Sequence, residues 1–194
     1  MQLENLVFVN INTSYLKALH DVDCEVQYSS VGYEEKPFVG ILILGNNIQY
    51  VVPLSSAKRK HLLWKDKYSD GRYLLTEEIK RDSITPNTIY QEIEKEDVVK
   101  RIYAALDVKK MIPVCEGLYS VVSFDILESD SKEITDYKIL QEKEYRACVK
   151  IFHDVANKAG EIYEKQIRTG KIQRFCCNFA LLENTMKGYM KQDN

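Results

Sequence analysis

The residues best suited to chemistry lie in one short stretch, where an apolar run ends and polar side chains follow at once. Ser55 and Ser56 stand directly before a basic run, Lys58-Arg59-Lys60-His61. Hydroxyl and ammonium groups bind phosphate oxygens and stabilise extra negative charge on them. The sequence therefore predicts an anion-binding site between residues 55 and 61.

The element that must position this site is a β-hairpin. Phe38–Leu44 and Ile48–Val52 are rich in β-branched and aliphatic residues, and Gly45-Asn46-Asn47 between them tolerates positive φ. Two such runs joined by a short polar turn are typical of a hairpin with mostly buried strands. We expect the second strand to stop at Pro53, which cannot donate to a ladder. The hydroxyls and cations would then follow a rigid support.

Several other chemistries lack their usual residues. The chain has no glycine-rich phosphate loop, no Gly-x-Ser-x-Gly elbow and no Asp, Glu or His cluster at metal-ligand spacing. Its three histidines, His20, His61 and His153, lie far apart in sequence. Metal-dependent hydrolysis, nucleotide-dependent phosphoryl transfer and redox chemistry lose support, and we expect neither a metal site nor a cofactor.

A cluster of hydroxyls and cations can still cleave RNA. The substrate carries its own nucleophile, the 2′-hydroxyl, which attacks the adjacent phosphorus and expels the 5′-oxygen. The protein must hold the phosphodiester in line, stabilise the dianionic intermediate and assist two proton transfers. DNA lacks the 2′-hydroxyl, so we expect it to remain uncut.

Composition indicates an ordinary globular protein. The 194 residues fit one domain spanning 1–194, with 45% hydrophobic and 29% charged residues and a net charge of −2. The cations concentrate between Lys58 and Lys67, whereas acidic residues concentrate in 92–97 and 128–133. Five cysteines without C-x-x-C spacing indicate buried, reduced thiols, and the N-terminus does not read as a signal peptide. We therefore expect a cytoplasmic protein.

The remaining pattern predicts an α+β fold, a compact single domain. Strands are expected at Leu6–Val9, Lys100–Val108 and Leu118–Phe124, whereas Arg72–Leu75 could be a strand or the start of a helix. Residues 81–98 look like a polar excursion. Asn12 can cap a first helix, a long amphipathic helix should run from Asp136 to Gly170, and Asn178 can cap a last one. Strands followed by long C-terminal helices favour a strongly twisted antiparallel sheet, a partial barrel, with the helices packed on it.

Four segments together resemble a known family. The segments PFVGILI, YVVPLSSAKRKH, KKMIPV and RTGKIQRFCCNFALLENTMKGY are similar to those of the type III toxin–antitoxin endoribonuclease toxins, the ToxN/AbiQ family. The most specific elements are Pro-Leu-Ser/Thr-Ser-x-Lys after a buried strand and the distal Phe179–Glu183, Phe-Ala-x-Leu-Glu. The match extends from about Phe38 to Tyr189.

The resemblance implies a bacterial toxin of phage abortive infection that cleaves cellular or phage RNA without a metal. It also implies that the toxin cuts its own repeat antitoxin RNA into pseudoknotted units that then inhibit it. Toxin and RNA would form a closed assembly. Independently of the resemblance, no apolar run in the sequence approaches the length of a membrane span, so we expect no membrane partner.

The resemblance also suggests site residues. Ser56 matches the family's key serine, Ser55 its neighbouring hydroxyl, and Lys58 the lysine two positions on. Lys36 matches a lysine before the first hairpin strand, and Tyr33 a loop tyrosine whose spacing differs by one residue. We expect Ser56 and Lys58 at the scissile phosphate, Lys36 supplying charge or proton transfer, and Tyr33 or His61 completing an acid–base pair.

Residues that could grip RNA surround this group. The cations are Arg59, Lys60, Lys65 and Lys67, and Trp64 or Tyr119 could stack on an unpaired base. Simpler interpretations remain open, because serines after a proline are often turn residues, a basic run is often a solvated face and Trp64 could merely anchor a helix. Two alternative functions also remain: a non-catalytic RNA-binding module, and a protein-interaction domain that uses the acidic stretches 92–97 and 128–133.

Overall fold

A computed structural model describes residues 6–28, 38–44, 47–64 and 70–192. Within these ranges the chain forms eight strands and three α-helices. The strands are β1 Phe8–Ile11, β2 Phe38–Leu44, β3 Ile48–Ser56, β4 Arg72–Lys80, β5 Ile89–Glu92, β6 Val98–Asp107, β7 Ile112–Val114 and β8 Tyr119–Val121. The helices are α1 Thr13–Val22, α2 Lys132–Thr169 and α3 Phe179–Gln192.

The strands form one antiparallel sheet in the order β4-β6-β3-β2-β1-β8, with β5 paired to β6 and β7 paired to β3. The sheet is not closed into a barrel. Helix α2 contacts β2 and β4, α3 contacts β7, and α1 contacts α3. The predicted α+β class, the antiparallel sheet and the long C-terminal helices are confirmed.

Strand β3 is longer than the sequence suggested. It continues through Pro53 to Ser56, so the expectation that it stops at Pro53 is wrong. At Pro53 the strand exchanges one neighbour for another: β7 pairs with it up to Val51, and β6 pairs with it from Leu54. The Ala57 N–H donates to Tyr103 O of β6. Alternate N–H groups of a strand point to the same side, so the N–H that Pro53 lacks would point toward the gap between β7 and β6.

Three other expectations about strands need correction. Residues 81–98 are not merely a surface excursion, because they contain β5 and the first residue of β6. The sequence did not predict β7, and the strand expected at Leu118–Phe124 is only Tyr119–Val121. Arg72–Leu75, left open between strand and helix, belongs to β4. Short strands carry too few residues to show a period, which explains why β7 was missed.

The helices follow their local signals closely. Asn12 Oδ1 accepts hydrogen bonds from the N–H groups of Ser14 and Tyr15, which caps α1. Helix α2 begins at Lys132, capped by Ser131, four residues before the expected start at Asp136. Gly170 ends α2 in the left-handed conformation with φ of 64°, as expected. Asn178 Oδ1 accepts from Leu181 N–H at the start of α3.

The core near the start of β3 contains a buried polar network. Glu183 Oε1 of α3 accepts hydrogen bonds from the hydroxyls of Tyr50 in β3 and Tyr163 in α2, both at 2.8 Å. Phe179 is fully buried and its ring contacts both tyrosines. The distal Phe179–Glu183 segment therefore ties the two long helices to the sheet. Cys148, Cys176 and Cys177 are buried as free thiols, as expected, whereas the expectation of burial is wrong for Cys24, which is exposed, and holds only in part for half-buried Cys115.

Candidate active site

The end of β3 presents the predicted polar residues on a well-anchored backbone. Ser55 and Ser56 pair with Ala105 and Ala104 of β6, and the Ala57 N–H donates to Tyr103 O at 3.1 Å. Ser56 is exposed, whereas Ser55 is half-buried and its Oγ donates to Ala105 O at 3.3 Å. Successive strand residues point to opposite faces, so the two hydroxyls do not share one surface.

Lys58 follows in extended conformation and is exposed. A 3-10 helix, Arg59–Leu63, begins directly after it and turns the chain back. The Lys58 N–H donates to His61 Nδ1 at 3.1 Å, and the His61 N–H donates to Lys58 O at 2.8 Å. This pair of hydrogen bonds fixes the backbone of Lys58, so its ammonium group starts from a defined position.

His61 is buried, with 1% of its surface exposed. Because Nδ1 accepts a hydrogen bond, the neutral ring carries its proton on Nε2, and that nitrogen is buried without a hydrogen-bond partner among the described residues. Burial, with Lys60 and Lys58 nearby, lowers the pKa of His61 to about 4. The ring is therefore neutral near pH 7, and its one lone pair is already engaged.

The remaining predicted residues fall into three groups. Arg59 and Lys60 are exposed on the 3-10 helix beside Lys58. Trp64 is half-buried, with its ring 4.5 Å from the His61 ring and 5.1 Å from the Arg72 guanidinium carbon. Tyr33, Lys36, Lys65 and Lys67 lie outside the described residues. The structure thus brings together Ser56, Lys58, Arg59 and Lys60 with His61 and Trp64 beneath them.

Tyr119 lies elsewhere. It lines a cavity of about 540 Å³ together with Ile48, Gln49 and Met186, near the start of β3. Ser56 lies eight positions after Ile48, a distance of about 26 Å along an extended strand. Tyr119 and Ser56 are therefore not parts of one compact site.

Strand β5 borders the site, which the sequence did not reveal. Ile89 of β5 pairs with Ile102 on the same edge of β6 that pairs with Ser56 at Ala104. The two strands therefore follow one another along β6, and β5 contacts the 3-10 helix. No local pattern announces this arrangement, because it depends on how two distant segments share one neighbour.

Two further features of the described residues bear on function. They include no group of three or more His, Cys, Asp or Glu side chains placed to hold a metal ion. None of their helices is long and apolar enough to cross a membrane.

Comparison with known proteins identifies the class to which this fold and site belong. Residues 7–187 match the family model described as toxin ToxN of type III toxin–antitoxin systems. The chain therefore belongs to the ToxN toxin family.

Individual relatives agree over nearly the full length. The chain is 26% identical to the endoribonuclease ToxN of Bacillus thuringiensis subsp. kurstaki over 98% of this chain and 87% of that protein. It shares the fold of AbiQ, a lactococcal anti-phage endoribonuclease, with a TM-score of 0.67 and 20% identity over 97% and 99% of the two chains. A type III toxin structure concerned with selective inhibition by a non-coding RNA pseudoknot gives 0.64 and 23%, over 97% and 99%.

Proposed function

We propose that this chain is an endoribonuclease that cleaves RNA by attack of the substrate's 2′-hydroxyl, without a metal in the chemical step. The products would carry 2′,3′-cyclic phosphate and 5′-hydroxyl ends. The observation that carries the proposal is the exposed pair Ser56 and Lys58, held by β6 on one side and by His61 on the other. The relative named endoribonuclease ToxN supports the reaction class.

In this mechanism the Lys58 ammonium and the Ser56 hydroxyl bind the non-bridging oxygens of the scissile phosphate. Their contribution grows as the phosphate gains a second negative charge, so they favour the transition state over the bound substrate. His61 acts as a positioning residue, because its engaged Nδ1 fixes the Lys58 backbone. Ser55 supports Ser56 from the opposite face through its bond to Ala105 O.

Two members of the predicted catalytic group, Lys36 and Tyr33, lie outside the described residues. Phe38, the first residue of β2, pairs with Pro53 of β3, so β2 begins beside the last residues of β3. This connectivity supports the prediction that Lys36 approaches the phosphate bound at Ser56. The acid–base role of Tyr33 stays a prediction.

RNA around the scissile bond would be held by cations that flank Lys58. Arg59 and Lys60 are exposed and directly adjacent, and Lys65 and Lys67 follow in sequence. Trp64 would lie beneath this surface, because its ring packs against the His61 ring and the Arg72 guanidinium. The distance of Tyr119 from Ser56 makes stacking there relevant only to a longer RNA.

The same surface would bind the antitoxin. We propose that the partner is a repeat RNA, processed into pseudoknotted units that bridge toxins into a closed assembly in the bacterial cytoplasm. Structures of related systems concerned with RNA pseudoknot inhibition and with a processed non-coding RNA support this assignment. A local basic surface on a chain of net charge −2 favours binding at that surface rather than over the whole molecule.

The test is cleavage of single-stranded RNA in EDTA by the intact protein, its Ser56→Ala variant and a Ser123→Ala control. We expect 2′,3′-cyclic phosphate ends from the intact protein and the control, greatly slowed cleavage by S56A, and no cleavage where the scissile nucleotide is 2′-O-methylated. A strict metal requirement or 3′-hydroxyl ends would contradict the mechanism. Equal activity of S56A and wild type would exclude Ser56, and RNA binding without cleavage would favour a non-catalytic binding module.

A further inference from the structure

Glu144 is a carboxyl group that the predicted site does not use, although it lies on the inner face of α2. The residue is 7% exposed. It belongs to the buried stripe of the helix, one turn before Cys148 and in line with Val155 and Ala159. The Cys148 thiol lies near the Tyr103 phenol of β6, and Val155 and Ala159 belong to the same hydrophobic core as the sheet residues, so this face of α2 is turned toward the sheet.

Its two neighbours in the helix show which strands lie beneath it. Lys143 points toward β4 and β6, because its Nζ lies 2.5 Å from Glu77 and 5.0 Å from the Tyr103 ring centre. Tyr145 points the other way, to β1, where its ring lies 5.6 Å from that of Phe8. In the order β4-β6-β3-β2-β1, the strands between these contacts are β3 and β2. Glu144 therefore faces β3 and β2.

The position of Glu144 along β3 follows from two other contacts. Tyr73 of β4 donates its hydroxyl hydrogen to Asp154 O, while Glu77 of β4 pairs with Lys143, so α2 runs opposite to β4. Ser56 lies at the level of Leu75, because Ala104 of β6 pairs with both. The level of Glu144 is thus close to that of Glu77, just beyond Ser56, where the chain continues to Lys58.

Tyr103 of β6 lies between Glu144 and the end of β3. Its carbonyl oxygen accepts the Ala57 N–H, between Ser56 and Lys58. Its phenol interacts electrostatically with Glu77, Glu144 and Cys148. One residue therefore spans the space between Glu144 and the end of β3.

The protonation of Glu144 suits proton transfer near neutral pH. Burial raises its pKa to about 7, and Lys143 opposes that shift. The titratable and charged groups near it are Lys143 and Cys148 from α2 and Tyr103 from β6, and Glu77 of β4 lies next to Lys143 and Tyr103. At neutral pH a large fraction is ionised, while the raised pKa makes the carboxylate a better base than an exposed glutamate.

We propose that Glu144 is the general base of RNA cleavage and that the Lys58 ammonium is the general acid; this rests on the proposed function. The Glu144 carboxylate takes the proton of the 2′-hydroxyl as the O2′–P bond forms. The P–O5′ bond breaks, and Lys58 gives its proton to the departing 5′-oxygen. The role would explain why a carboxylate sits on a stripe whose other members are mostly apolar.

The experiment measures kcat/KM for a short RNA from about pH 5 to 9 with the wild type, Glu144→Gln and Glu142→Gln. E142Q is the control, since Glu142 lies on the same helix and pairs with Arg146 on the solvent side. The wild type and E142Q should gain activity as pH rises to about 7. E144Q should be at least about 100-fold slower, without that acidic limb, and equally folded by circular dichroism. An acidic limb that persists unchanged in E144Q would overturn the proposal.

A second substrate separates base from acid. An RNA with sulfur in place of the bridging 5′-oxygen has a leaving group that needs no protonation. E144Q should remain slow on this substrate, whereas the loss caused by Lys58→Met should be clearly smaller than with the ordinary RNA, because only the charge on the non-bridging oxygens is then missing. Recovery by E144Q would reverse the assignment and overturn it. Loss of cyclic phosphate ends in the wild type would instead reject the proposed function, whatever E144Q does.

Discussion

The two ends of strand β3 differ in their polar groups, which are buried and hydrogen-bonded at its start and exposed at its end. Near its start, the Tyr50 hydroxyl is buried and shares Glu183 with Tyr163, so donors and acceptor satisfy one another. At its end, Ser56 and Lys58 are exposed, and the buried Nε2 of His61 has no hydrogen-bond partner in the part of the chain that the structure describes. Buried polar groups that hydrogen-bond to one another stabilise the fold, whereas exposed polar groups on a fixed backbone remain available to bind a ligand.

The largest expected effect tests the end of β3. Lys58→Met should lower kcat/KM for RNA by about 100- to 1,000-fold, because a positioned charge on the transition state is lost. The unfolding free energy should hardly change, since the side chain is exposed. Steady-state cleavage and urea denaturation measure the two quantities, with Lys171→Met, an exposed lysine after α2, as the control. A stability loss as large as the activity loss would remove the contrast between the two ends.

The next effect tests the start of β3. The double variant Tyr50→Phe/Tyr163→Phe leaves the buried Glu183 without its two tyrosine donors, which should cost about 2–4 kcal/mol of unfolding free energy. Activity of the folded fraction should stay at the wild-type level. Denaturation and cleavage assays below the unfolding transition measure both. Reduced cleavage by fully folded protein would show that the network also serves the site.

A pH experiment tests His61. Its pKa of about 4 in the fold lies below the ordinary value of 6.5, so the unfolded chain takes up a proton first as pH falls. The contribution of neutral, buried His61 to the unfolding free energy is complete above pH 6.5. It is lost progressively toward pH 4, by about 2–3 kcal/mol at pH 4.5. The raised pKa of buried Glu144 has the opposite effect on stability over the same pH range, because there the folded state takes up the proton first. This effect is the same in a His61→Phe variant. Urea titrations at pH 7 and 4.5 should therefore show a smaller decline for H61F; equal declines would contradict the assignment.

The smallest effect concerns the rim of the site. Lys60→Ala should weaken RNA binding by only about twofold to fivefold at physiological salt, and reduce the slope of log affinity against log salt by about 1. Fluorescence anisotropy with a labelled, 2′-O-methylated RNA measures this without cleavage. Glu96→Gln, in the acidic excursion, is a matched control of opposite charge. An unchanged salt slope would place the RNA elsewhere.

Local signals predicted the helices well. Asn12, Gly170 and Asn178 mark the termini that the structure shows, since capping depends on residues only a few positions apart. The stripe of α2 was predicted less exactly. Ile167, an apolar residue near the end of α2, is 47% exposed, whereas the polar residue Gln166 is buried. The Gln166 side-chain amide donates a hydrogen bond to Cys177 O and accepts one from Phe179 N–H.

Long-range pairing was beyond local patterns. Pro53 reads as a strand end, and only the exchange of β7 for β6 at that point shows why a proline is tolerated within β3. The family resemblance placed Ser56 and Lys58 where the structure exposes them. Glu144 carried one signal, a carboxyl on the inner stripe of a helix, but its position over β3 depends on the tertiary fold.

Strand β6 lies about fifty residues after β3 in sequence, although it pairs directly with Ser56. During synthesis the ribosome therefore releases Ser56 and Lys58 well before the strand that anchors them, and α2 emerges later still. Until β6 has been translated, the nascent polypeptide cannot form the pairing that holds the end of β3. A truncated translation product that ends before β6 should therefore lack the proposed RNA-cleaving activity.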